Sequence, residues 1–156
     1  MKAMILYYSR SGKTRKLAQR IQADLNADIL EIVPEVPYGN YLQALIRAIK
    51  QRRANIMPKC VTPIPDLSGY DVVLIGYPIW MSDPPTFESD FLRKCDFTGK
   101  KVIPFATFGG SGIAGTLPTI KRVCAGAEVI DPFALGMFKK DDYDAWRGAV
   151  QKLLGK

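Results

Sequence analysis

Residues 9–14 read Ser-Arg-Ser-Gly-Lys-Thr, placing three hydroxyls, a glycine and two cations in six positions directly behind the apolar run Met4–Tyr8. This is chemistry for holding an anion. The next stretch, 16–25, carries apolar side chains at 17, 18, 21 and 25, the spacing of one helical face. Strand, tight polar turn and helix therefore follow one another. Such a turn leaves the first amides of the helix without partners and aims the positive end of its dipole outward, where phosphate is the usual anion to settle. Arg10, Lys13, Arg15, Lys16 and Arg20 crowd this helix start, and no acid precedes Asp24. Each exposed cation at that end is disfavoured by about 0.3–1 kcal/mol, a penalty that a bound anion turns into a gain.

Two further segments carry chemistry. Tyr77-Pro78-Ile79-Trp80-Met81-Ser82-Asp83 follows the apolar run Asp71–Gly76 and offers a large aromatic plane. Phe108-Gly109-Gly110-Ser111-Gly112 follows Lys101–Thr107 and lets backbone approach a ligand closely. Each has a bland counterpart. Ser11 could simply cap the helix, Trp80 could pack beneath its loop, and the glycines could form an ordinary turn. Gly12-Lys13-Thr14 also resembles the end of a nucleoside-triphosphate loop. That motif needs a glycine where Tyr7 stands, and the run Asp71–Gly76 ends in Ile75-Gly76 rather than a metal-holding Asp. Capping accounts for one hydroxyl but not for three hydroxyls, a glycine and two cations, so the turn is read as a phosphate site.

Composition narrows the reaction classes. The chain of 156 residues has 47% hydrophobic and 24% charged residues, ordinary for a globular protein, and reads as one domain over 1–156 with no metal site. It contains no histidine, which excludes a Ser-His-Asp hydrolase and removes the commonest metal ligand. If the protein is an enzyme, a cofactor carries the chemistry. Cys60, Cys95 and Cys124 are widely spaced and form no Cys-x-x-Cys, as expected of reduced structural thiols in a cytoplasm. No apolar run is long enough to span a membrane, and Lys2–Tyr8 is too short for a signal peptide.

The net charge of +7 is unevenly placed: residues 1–59 hold 11 Lys and Arg against four acids, and residues 60–156 hold 11 against 11. Part of the excess (Arg47, Lys50, Arg52, Arg53 and Lys59) follows the helical pattern Tyr41–Ala54. It reads either as a solvated face or as a docking patch for an acidic partner or anionic substrate. No aromatic interleaving or binding motif points to nucleic acid.

Stepping strands and helices must hold these segments. Ala3–Tyr8, Asp28–Val33, Asp71–Gly76, Lys101–Thr107 and Glu128–Pro132 read as five strands. Helical periodicity fits Lys13–Asn26, Tyr41–Ala54, Pro84–Lys94, Gly115–Ala125 and Asp142–Leu154. The proline-bearing stretch Asn55–Gly69 reads as an extended surface crossing. This alternation means an α/β fold with a parallel sheet covered on both faces, whose ligands bind beyond the carboxyl ends of the strands. All three loops lie at such ends, so one ligand can touch all three.

Taken together, Ser9–Thr14, Gly76-Tyr77-Pro78-Ile79-Trp80 and Thr107-Phe108-Gly109-Gly110-Ser111-Gly112 resemble the flavodoxin family, in its short branch, over essentially the whole chain. The resemblance implies a three-layer α/β/α sandwich with a five-stranded parallel sheet in order 2-1-3-4-5 and one non-covalent FMN. It implies that Ser9, Arg10, Ser11, Gly12, Lys13 and Thr14 hold the phosphate. Tyr77, Pro78, Ile79, Trp80 and Met81 would flank the flavin ring, with Thr107, Phe108, Gly109, Gly110, Ser111 and Gly112 at its other edge. The implied role is electron transfer between a reductase and an acceptor. The alternatives are a small FMN-dependent NAD(P)H:quinone-type oxidoreductase and a non-redox module for another phosphate ligand. Where similar proteins carry a second aromatic residue and a glycine after the tryptophan, this chain has Met81 and Ser82. Flavodoxin carriers are usually acidic, so the basic half implies redox partners with an acidic docking surface.

Overall fold

The computed structural model describes residues 1–108, 110, 112–136 and 141–156. Strand β1 (Ala3–Tyr7) is buried along its whole length, and β3 (Val72–Pro78) is buried to its penultimate residue. Their continuous apolar sequences suit strands covered on both faces. β1 pairs in parallel with β2 (Asp28–Glu31) on one side and with β3 on the other, and β3 pairs with β4 (Lys101–Phe108). Beyond β4 lie two short segments, β5 (Glu128–Val129) and β6 (Phe133–Gly136), both parallel to it. The strand order is β2-β1-β3-β4-β5, with β6 also on β4. This is the flavodoxin order 2-1-3-4-5 with its fifth strand in two pieces.

The interruption moves the expected end of that strand. Lys101 pairs with Glu128, whereas Phe105 pairs with Phe133, so the register shifts by one residue between the pieces. Asp131 sits in the shift at φ 45°, and its carbonyl accepts from Trp146 Nε1 (2.8 Å). Pro132 supplies no N–H and would end a regular strand. The bulge steps around it, and pairing resumes through Gly136 instead of stopping at Pro132.

Side chains alternate between two cores, as the pleat requires. Ile5, Tyr7, Val72, Leu74 and Phe105 face α1 (Lys13–Leu25) and α5 (Tyr143–Leu153). Leu6, Tyr8, Val73, Ile75 and Tyr77 face the other layer, built from α2 (Tyr41–Arg53), α3 (Thr86–Arg93) and α4 (Leu117–Val123). The sheet is thus sandwiched between helices. Gly76 is needed where it stands, since a Cβ there would lie 2.2 Å from the Phe105 ring. The stretch expected as a helix over Gly115–Ala125 is split into a 3₁₀ turn, Ile113–Thr116, and α4 with Pro118 in its first turn.

The connector 55–69 is more ordered than a surface crossing. Its Val61 amide donates to Val33 O (2.9 Å), and Lys59 O accepts from Glu35 N (2.8 Å). It therefore pairs antiparallel with the chain that leaves β2.

Candidate functional site

The turn after β1 is built by Gly12 and Ser9. Gly12 adopts φ 93°, a left-handed conformation that glycine takes without strain, and its amide donates to Ser9 Oγ (3.0 Å). Gly12, rather than Ser11, is the N-cap of α1, and no side chain caps that helix. Lys16 N is the first helical amide to find a carbonyl, Gly12 O at 3.0 Å. The amides of Lys13, Thr14 and Arg15 therefore point out of the helix end with no intrahelical acceptor.

They open toward a cleft of about 740 Å³, within the range of about 300–1,000 Å³ usual for small-molecule sites. One end is Arg10, Ser11, Lys13 and Thr14; the sides are Pro78, Ile79 and Trp80 from the end of β3 and Thr107 and Phe108 from the end of β4. Residues of the first two expected loops and the strand end that leads into the third line one cleft. The structure adds Lys16, Leu17, Arg20, Tyr41, Leu135 and Gly136 to the lining. Lys13, Lys16 and Arg20 recur at helical spacing, a signal already present in the crowd of cations. Leu135 and Gly136 lie beyond Pro132, where the strand reading stopped. Nothing in the sequence placed Tyr41 there.

Other expected residues have different surroundings. Ser9 is buried behind the turn, and Gly12 shapes the backbone without lining the cleft. Tyr77 is fully buried on the sheet face away from α1, its hydroxyl 2.7 Å from Thr116 Oγ1. Met81 borders a small separate cavity with Arg52 and Asp83. Gly110 and Gly112 are exposed and do not line the cleft, whereas Gly109 and Ser111 lie outside the described residues.

Trp80 is half-buried and held edge-on by two tyrosines, with ring centroids 5.7 Å from Tyr8 and 5.0 Å from Tyr38. Its backbone closes a two-residue turn: Trp80 N donates to Asp83 O (2.8 Å) and Asp83 N to Trp80 O (3.1 Å). Met81 (φ 50°) and Ser82 (φ 63°) both occupy the left-handed region, as a type I′ turn requires. Arg52 from α2 braces it, donating to Met81 O (3.3 Å) and lying 3.7 Å from Asp83.

The cleft is electropositive. Arg20 is shared with Asp141 and Asp144 (both 3.8 Å) and stacks on the Tyr143 ring. Lys13, Lys16 and Arg10 enter no ion pair among the described residues; Arg10 lies over the Tyr41 ring and reaches Gly39 O (3.4 Å). Arg15 turns away to Glu31 (2.5 Å). No thiol is available as a nucleophile: burial pushes Cys60 up to about 11 and Cys95 up to about 12, and raises Cys124 as well. All three are free thiols. Among the described residues no group of acids and cysteines could hold a metal, and no helix is long and apolar enough to cross a membrane.

Solved structures share this fold. The flavoprotein from Lactobacillus acidophilus NCFM, crystallised in complex with FMN, is 25% identical with a TM-score of 0.74, over 93% of this chain and 97% of its own. A chain from Bacteroides eggerthii DSM 20697 is 26% identical with a TM-score of 0.81, over 99% of both. Oxidised flavodoxin 1 from Bacillus cereus shares the fold at 18% identity and a TM-score of 0.60, over 99% of this chain and 98% of its own. No curated protein matches the sequence. The flavodoxin family model matches residues 2–150, nearly the whole chain, and the protein belongs to the flavodoxin family.

Proposed function

We propose that the cleft binds FMN and that the protein carries electrons between a reductase and an acceptor. One observation carries this reading: the uncapped start of α1, with Lys13 and Lys16 in no ion pair among the described residues, opens into the same cleft as Trp80 and the end of β4. An anion and a broad ring are thus accommodated by one space. The donor set fits the cofactor. The amides of Lys13, Thr14 and Arg15 and the Ser11 hydroxyl would hold the phosphate, with Lys13, Lys16 and Arg10 compensating its charge. Ile79, Leu17 and Leu135 give the ring an apolar wall, and Trp80 offers it an aromatic face. When bound, FMN supplies the redox chemistry.

The residues of this chain set how that chemistry runs. Trp80 is fixed against Tyr8 and Tyr38, so it presents its ring without losing much conformational freedom on binding. The cations favour negative charge in the cleft and draw acidic redox partners to its mouth. With no histidine in the chain, solvent is the source of protons.

Incubation with FMN followed by gel filtration tests the reading, with a bound yellow flavin expected. Trp80→Ala should fold, by circular dichroism, yet bind FMN about tenfold more weakly, the loss of one good aromatic contact. A protein that stays colourless overturns the flavin site. Steady NAD(P)H oxidation with a quinone, without added reductase, would show an enzyme rather than a carrier.

A further inference from the structure

Helix α2 is built inside out. Its buried residues are Ala44, Ala48 and Gln51, two small side chains and an amide that bonds the Tyr38 hydroxyl (2.6 Å). Leu42, Ile46 and Ile49 lie on the opposite face, with half-buried Leu45 beside them. Leu42 is 62% exposed and Ile46 46% exposed, and Ile49, half-buried, continues the row toward exposed Arg53. Spacings of four, three and four residues put these four side chains on one stripe. An ordinary surface helix buries such a stripe against its own core. Ile56 and Met57 extend the exposed apolar surface immediately beyond the helix.

Charge identifies what the stripe faces. From Val36 to Pro65 there is no acid and there are five cations. Two have duties within the fold: Arg47 bonds Val36 O and Pro37 O (both 2.9 Å), and Arg52 braces the Met81–Ser82 turn. Lys50, Arg53 and Lys59 enter no ion pair among the described residues. A second copy of this chain would set like charges against one another. A protein interface is usually anchored by Trp, Tyr or Arg in pockets, and the stripe offers mainly Leu and Ile. A row of aliphatic residues flanked by Lys and Arg, without acids, is the chemistry of a helix lying in the headgroup region of an anionic bilayer.

We propose that α2 docks this protein on anionic lipid surfaces, Leu42, Ile46 and Ile49 entering the acyl boundary while Lys50 and Arg53 meet lipid phosphates. Tyr41, the first residue of the same helix, lines the cleft beside Arg10. Docking therefore sets the cleft mouth at headgroup level. If the flavin reading holds, the matching acceptor is an apolar molecule that partitions into the membrane.

Flotation with vesicles tests the docking, the protein being followed on gels so that a colourless preparation is scored equally. The protein should float with vesicles of phosphatidylglycerol and phosphatidylcholine in equal parts, stay in solution with phosphatidylcholine alone, and be released by high salt. Leu42→Ser/Ile46→Ser and Lys50→Glu/Arg53→Glu should each weaken flotation at least about tenfold. Lys121→Glu/Lys152→Glu, on α4 and α5, makes the same change in net charge and should leave it intact. Absence of flotation, or equal loss in this last variant, overturns the proposal. Binding to soluble polyglutamate that depends on Lys50 and Arg53, without flotation, overturns it in favour of an acidic protein partner. Loss of FMN binding with flotation intact would overturn only the flavin reading.

Discussion

The Thr14 and Thr107 hydroxyls lie 2.8 Å apart with both side chains buried, so the first turn of α1 is latched to the end of β4. The two residues belong to different walls of the cleft. Their bond fixes the distance between the uncapped start of α1 and the strand end across the cleft from it.

Removing one hydroxyl strands the other. Thr14→Val or Thr107→Val alone should cost about 1–3 kcal/mol, the penalty of a buried polar group left without its partner. The double variant should recover most of that loss, since two apolar groups of the same shape replace the pair. Urea unfolding of the four proteins closes the cycle. Additive losses would mean that the hydroxyls do not depend on each other.

The turn after Trp80 holds Met81 and Ser82 in the left-handed region, which disfavours residues with a Cβ by about 1–2 kcal/mol each. Met81→Asn/Ser82→Gly gives the pair that a type I′ turn prefers. Thermal unfolding should shift upward, by about 1 kcal/mol or more of stability. Arg52 still braces Met81 O through the backbone, so that contact is unaffected. An unchanged or lower melting temperature would show that the surrounding contacts, not the local backbone, set the cost of this turn.

The strands that build the site were legible because they are buried on both faces. Ile5, Leu6, Val73 and Leu74 form unbroken apolar runs, and only a central parallel strand accounts for them. The turn after β1 stood out because hydroxyls, a glycine and cations crowd one strand end, and the structure adds that the helix behind it starts uncapped. The rest depended on long-range packing. Pro132 hid β6, because the bulge at Asp131 that steps around it is a tertiary feature. Tyr77 lies in a loop-like sequence, yet β3 runs on through Pro78 and its pleat turns Tyr77 into the core. Tyr41 reaches the cleft only because the Asn40–Gln43 capping box starts α2 there. Short-range pattern carries none of these three.

Lys13 and Lys16 should govern both the anchorage and the potential of the bound flavin. Lys13→Glu/Lys16→Glu places two negative charges where two positive ones line the cleft. FMN affinity should fall at least about tenfold at low salt, with a smaller loss at high salt as screening weakens both effects. In protein saturated with FMN, the potential for full reduction should become more negative, because reduction adds negative charge that the lysines favour. Weaker binding with an unchanged potential would confine the two lysines to the phosphate end.

Glu88 gives the fold a pH dependence. It lies in the first turn of α3 with 0% exposure, and neither carboxyl oxygen has a hydrogen-bond partner among the described residues. Burial holds its pKa well above the usual carboxylate range; the neighbouring Tyr8 N–H would oppose this, but it is spent on Gly76 O (3.0 Å). Tyr8, Tyr77 and Cys60 are the titratable groups around it, and burial raises all three as well. The native state therefore keeps the Glu88 proton at pH values where the unfolded chain has released it. The Glu88 contribution should be fully present below the usual carboxylate range and fall as pH rises above it, by about 1.4 kcal/mol per pH unit until the native carboxyl ionises, whereas Asp28, Asp66 and Asp96, whose pKa values are lowered, contribute in the opposite sense. Glu88→Gln keeps the shape and removes the proton. It should flatten this slope and melt higher than the parent at pH 8, while the two converge toward pH 4. Parallel pH profiles for the two proteins would show that Glu88 is ionised in the fold and that its burial is relieved by groups it does not touch here.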